Sequence, residues 1–188
     1  MRQKSKRNCK GGTGIAELGP ALFVLIIVIL IPMMDMLYLM MSYAAGWMLN
    51  HQTTREVSVK DPTDGTQIKL GVQIADMAWR KTLFCGLAQA TGSIAQEQVT
   101  FVDASNNPYV SNFSVDGSSN VSGTATTAPS RTTQPVNTAL NVVTVQVVTQ
   151  LPVKPLFVVP LVNNCPGLSA PVIFSYSGQR PQEEKGLK

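Results

Sequence analysis

The chain of 188 residues contains one histidine, His51. Serine and threonine are abundant, but none stands in an evident arrangement with that imidazole, so a nucleophile–base pair has no support. No Cys/His cluster has metal-ligand spacing. The eleven acidic residues scatter along the chain, with no pair poised for acid–base work. No glycine-rich loop lies between a strand and a helix, so a phosphate cradle is not indicated. Gly11-Gly12-Thr13-Gly14 is rich in glycine, but a short basic segment precedes it rather than a strand. No internal repeat is evident. These absences argue against an enzyme, a resident metal, a cofactor and a small-molecule substrate.

Charge is present but unevenly placed. Arg2, Lys4, Lys6, Arg7 and Lys10 come first, and no acid precedes residue 13. With those five set aside, ten cations face eleven carboxylates. The basic balance therefore belongs to the leader and does not describe a nucleic-acid surface. Cations flanking an apolar run stay on the cytoplasmic side, which places the N-terminus inside and the bulk of the chain outside.

Leu18 to Met34 is long enough as a helix, about 26 Å, to cross most of a hydrocarbon core. Glu17 stands at its inner edge and Asp35 at its outer edge, 18 residues apart. In an uninterrupted α-helix that spacing is five whole turns and puts both on one side, which makes Asp35 a candidate helix-interface residue. A carboxylate at the edge of lipid is costly, so Glu17 calls for a partner. Pro20 suits a helix start, whereas Pro32 is interior and removes one hydrogen bond, predicting a kink. Met36 to Leu49 continues the helix beyond the span, with Asn50 to Arg55 as its polar end. An ordinary secretory signal needs a shorter apolar stretch and an early small-residue cleavage site, which the chain does not offer.

Residues 57–178 read as a small exported α+β domain, one amphipathic helix on a short antiparallel sheet. Val57 to Gly71 reads as a loop around Asp61-Pro62-Thr63-Asp64-Gly65. Val72 to Ala90 reads as the helix, with Ile74, Ala75, Ala78, Trp79, Leu83 and Leu87 inward and Gln73, Asp76, Arg80 and Lys81 outward. Asp76 and Arg80 form an i,i+4 pair. Strands are expected at Gln98–Val102, Val142–Gln150 and Val172–Tyr176. Leu151-Pro152-Val153-Lys154-Pro155-Leu156 carries prolines suited to an edge or a crossing. Residues 104–138 read as a long loop or a poorly ordered hairpin, with Tyr109, Val110, Phe113 and Val115 as weak strand hints, and 179–188 as a disordered tail. An oxidising compartment would let Cys85 and Cys165 pair, and two buried thiols is the equal alternative.

Gly14-Ile15-Ala16-Glu17-Leu18, then Pro32-Met33-Met34-Asp35-Met36-Leu37-Tyr38, then Gln52-Thr53-Thr54-Arg55-Glu56-Val57 resemble TadE-like proteins, the minor pilins or pseudopilins of the tight-adherence (Flp, type IVc) pilus. The resemblance implies residues 1–12 as a class III prepilin leader cut between Gly12 and Thr13 by a prepilin peptidase. It implies 13–56 as a transmembrane stalk helix, and Glu17, then fifth, as a docking carboxylate that meets the amine of Thr13 on a neighbouring subunit. The partners implied are the membrane, the peptidase, other pilins and pilus-assembly proteins. The location implied is the bacterial inner membrane with the outer domain in the periplasm, or outside the cell within a pilus. The alternative is an unprocessed single-pass inner-membrane protein with a small periplasmic binding domain.

Overall fold

The computed structural model describes residues 13–83, 85, 95–103, 106–128, 144–157, 165–167 and 169–183. Helix α1, Thr13–Leu25, passes through a π-helical turn, Ile26–Leu30, directly into α2, Ile31–Ser58. Pro32, where the sequence predicts a kink, follows directly on this turn. Pro32 has no N–H, and its ring crowds the carbonyl four residues back. Just upstream, the Ile31 amide reaches back five residues to the Ile26 carbonyl, so the ladder takes up an extra residue there. One extra residue turns the downstream helix by about 100° relative to an unbroken α-helix. The five whole turns counted between Glu17 and Asp35 assume an unbroken α-helix, which this turn interrupts.

Helix α3 spans Gly65–Arg80 and so begins before the expected Val72; residues 84 and 86–90 of the expected helix lie outside the described residues. The turn signal contains its start: the Asp64 side chain caps the amides of Thr66 and Gln67. Among the described residues five strands form one antiparallel sheet: β1 Ala95–Val102, β2 Pro108–Val115, β3 Val121–Thr124, β4 Thr144–Val153 and β5 Val172–Pro181, in the order β3-β2-β1-β4-β5. Two of these strands, β2 and β3, lie inside the stretch read as a long loop or a poorly ordered hairpin. β5 runs through Gln179, Arg180 and Pro181 of the expected tail. Pro152 belongs to β4 and pairs with Ile173 of β5, but β1 pairs with β4 only as far as Gln150. The proline thus occupies the part of β4 that has a neighbour on one side only, as its missing N–H requires.

Both hairpins of β1-β2-β3 turn by the same device. Asp103 accepts from the amide and side-chain nitrogen of Asn107, and Asp116 does the same with Asn120. The residue before each asparagine, Asn106 or Ser119, has φ of 62°.

The helices cover one face of the sheet. α2 packs on β4 and β5, and α3 packs on α2 and reaches β2 and β3. Period-two alternation then sorts the strands. Val99, Phe101, Phe113, Val145 and Val147 are buried beneath the helices. Gln96, Gln98, Asn112, Gln150 and Ser177 are exposed on the open face. Of the six residues expected on the inner stripe, Ala75 and Trp79 are buried, Ile74, Ala78 and Leu83 are exposed, and Leu87 lies outside the described residues; Ile68, Gly71, Val72 and Asp76 complete the buried face of α3. Leu83 lies beyond the helix and is 94% exposed.

Candidate functional site

Leucine, isoleucine, valine and phenylalanine occupy nearly every position from Leu18 to Leu30, and nothing among the described residues covers them. Exposed large apolar side chains continue through Met33, Met36, Leu37, Met40 and Trp47. An uncovered apolar surface of this extent marks an interaction or membrane surface. The helix from Leu18 to Ser58 has 41 residues and is long and apolar enough, by length and composition, to cross a membrane. Its second half has two characters. One face, including Asp35, Tyr38, Ala45 and Leu49, is buried on the sheet, while the opposite face stays bare. The approach is close at Gly46, where a Cβ would fall 2.5 Å from the Tyr176 ring.

Asp35 is fully buried. Its Oδ1 accepts the backbone N–H of Phe157 at 3.0 Å, and its Oδ2 has no partner among the described residues. The residue expected at a helix interface therefore stands at an interface within the chain. It ties the emerging helix to the segment after β4.

Farther along α2, Asn50 is buried rather than part of a polar end. Its Nδ2 donates to the Val147 carbonyl and to Thr149 Oγ1, each at 3.0 Å. Thr149 in turn donates to Glu97 Oε2 at 2.7 Å. Glu97 is buried in β1, and its other oxygen has no partner among the described residues. Burial pushes its carboxyl up to about 8, and the charge of Asp76 pushes the same way, against the hydrogen bond from Thr149. At neutral pH Glu97 is therefore largely protonated. Asp76, expected on the solvent face, is also buried and forms the expected ion pair with Arg80. It can lie inside because Arg80 carries the charge outward, donating to the carbonyls of Asp116 and Gly117.

The signal for Glu97 was present in the sequence. Extending the alternation of Val99 and Phe101 back two residues places position 97 inward. Asn50 had no such signal, because its partners lie 97 to 126 residues away.

On the open face of the sheet, Gln96, Gln98, Asn112, Ser114, Ser122, Val148 and Gln150 line a shallow groove of about 370 Å³. Among the described residues no three His, Cys, Asp or Glu side chains converge as a metal site. His51 is exposed, stacked on Trp47 and 3.3 Å from Arg180.

Cys85 and Cys165 are separate free thiols, so the disulfide considered from sequence is not made. Cys85 is buried near Asp76 and Arg80 on the β2–β3 side, and burial pushes its thiol up. Cys165 lies in the turn that packs on Leu39 of α2, on the β5 side. Gly12 and the rest of the leader lie outside the described residues. For Thr13 and Glu17 the structure describes the helical backbone. No protein family, curated protein or solved structure matches the chain.

Proposed function

We propose that this chain is a structural or assembly component of a tight-adherence (type IVc) pilus, a TadE-like minor pilin anchored in the inner membrane. The observation that carries the reading is the single helix from Thr13 to Ser58. Its first half is apolar and uncovered, and its second half is the spine of a small α+β domain. Such a helix anchors a subunit and offers a lateral surface at the same time. In this reading cleavage at Gly12-Thr13 frees an amine at residue 13, and Glu17 of a neighbouring subunit pairs with it. Two charges desolvated together cost far less than either alone. The bare face through Met33, Leu37, Met40 and Trp47 then meets other subunits.

The second reading, an unprocessed membrane protein with a periplasmic binding domain, draws support from the uncharged amide-lined groove on the sheet. One bond separates the two readings. N-terminal sequencing of membrane-bound protein from cells with an active prepilin peptidase should begin at Thr13, and Gly12→Leu should abolish that cut. A wild-type protein retaining Arg2 to Gly12 would remove the pilin reading.

A further inference from the structure

We infer that one end of the outer domain is a lipid-facing surface, in which Leu156, Phe157 and Ile173 enter the headgroup layer of the membrane that the helix crosses. The inference rests on the reading of Leu18–Met34 as the span. Three observations place these side chains at the right level.

First, the Phe157 amide is bonded to Asp35, the residue directly after the span. Second, Gly167, in the turn leading towards β5, packs against Leu39, one helical turn farther out. Third, β4 ends and β5 begins at this level, because Val153 pairs with Val172. The end of the sheet is thus fixed beside the point where the helix leaves the hydrocarbon.

On the β4–β5 side of that end, next to the helix, the exposed chemistry is apolar, whereas the β2–β3 turn across the sheet carries Asp116, Ser118 and Asn120. Ile173 is 66% exposed, Leu156 48% and Phe157 43%. Met34 and Met36, which flank Asp35 on the helix, are exposed as well, so apolar surface borders the patch on the helix side. Lys154 is exposed two residues before Leu156, placed to reach lipid phosphates while its stem lies on apolar surface. α3 runs antiparallel to α2, with Gly71 against Val57 and Trp79 bonded to Ala45, so its C-terminal end points the same way. The exposed Leu83 comes just after that end. The opposite end of the sheet carries Asp103, Asn107, Gln182 and Glu183 instead. Apolar side chains interleaved with a cation suit the interfacial layer, where apolar groups gain burial and the ammonium keeps its water and phosphate contacts.

The test uses the full chain, with Trp47→Phe, in vesicles of phosphatidylcholine and phosphatidylglycerol. Single tryptophans are placed by Phe157→Trp, Ile173→Trp, Leu25→Trp and Ser177→Trp, with buried Trp79 as constant background. The vesicle lipids are brominated either near the glycerol or near the chain end. Phe157→Trp and Ile173→Trp should lose most of their emission to shallow bromines, shift to the blue, and resist acrylamide. Leu25→Trp should be quenched by deep bromines, and Ser177→Trp by neither. Leu156→Trp repeats the measurement should either reporter disturb folding. If Leu25→Trp is quenched while the domain reporters stay open to acrylamide, the lipid-facing surface is refuted and the span stands. If Leu25→Trp also escapes quenching, the anchor and the surface fall together.

Discussion

Glu97→Gln should stabilise the domain at neutral and mildly alkaline pH and flatten its pH dependence. In the folded protein the carboxyl titrates near 8, because burial and the charge of Asp76 both oppose ionisation. In the unfolded chain a glutamate titrates near 4.3. Between those values the folded state binds the extra proton, so stability declines as pH rises. The favourable contribution is complete below about pH 4.3 and is lost as pH climbs through 8. At roughly 1.4 kcal/mol per pH unit, the loss by pH 7.5 is on the order of 4 kcal/mol. Glutamine keeps the shape and an oxygen to accept from Thr149, but has no proton to lose. Urea unfolding of the detergent-solubilised protein, monitored by tryptophan fluorescence from pH 5 to 8, reads the effect. The unfolding midpoint of the wild type should fall steadily over that range, while that of Glu97→Gln should stay nearly level. Parallel profiles for the two proteins would show that Glu97 is not the group that titrates, and the argument from its burial would be wrong.

Three further outcomes are expected. Gly46→Ala drives a methyl into the Tyr176 ring and should cost about 1–3 kcal/mol, read by the same unfolding assay. Asp35→Ala leaves the Phe157 amide without its acceptor and should cost about 1–3 kcal/mol, whereas Asp35→Asn, which keeps an oxygen, should cost less. Glu17→Ala should leave membrane insertion intact while reducing co-purification with pilus partners; normal co-purification would remove its docking role.

The long helix is plain in the sequence, because an unbroken apolar run has few other solutions. β4 and the i,i+4 pair of Asp76 with Arg80 are legible too. The sequence misleads where polar composition reads as irregular structure. Residues 108–124 look irregular because serine, asparagine and glycine are frequent there, and even the helix-side face takes Ser111 and Gly123, opposite Val99 and Phe113. A finer signal exists there. Asp103-Ala104-Ser105-Asn106-Asn107 and Asp116-Gly117-Ser118-Ser119-Asn120 share the spacing D-x-S-x-N, thirteen residues apart. Read as two turns of one type, they predict the β1-β2-β3 meander. The phase of α3 goes astray for a different reason: Asp76 reads as solvent-facing because it is charged, although its partner one turn on can carry that charge to the surface. For the proposed sites, Asp35 is visible in the sequence but its bond to Phe157 is not, because that bond depends on a contact 122 residues away.

The long helix also imposes an order on the birth of the molecule. Asn50 must wait for Val147, Thr149 and Tyr176, up to 126 residues later in the chain. At about 5–20 residues per second, that interval is on the order of ten seconds. Throughout it, the face of α2 that will bury Tyr38, Ala45 and Leu49 stands without its sheet, and β5, the last of the described strands to be made, closes it. A truncation within β5 therefore does more than shorten an edge. It removes the strand against which the first helix settles, and so leaves the earliest part of the chain permanently unfinished.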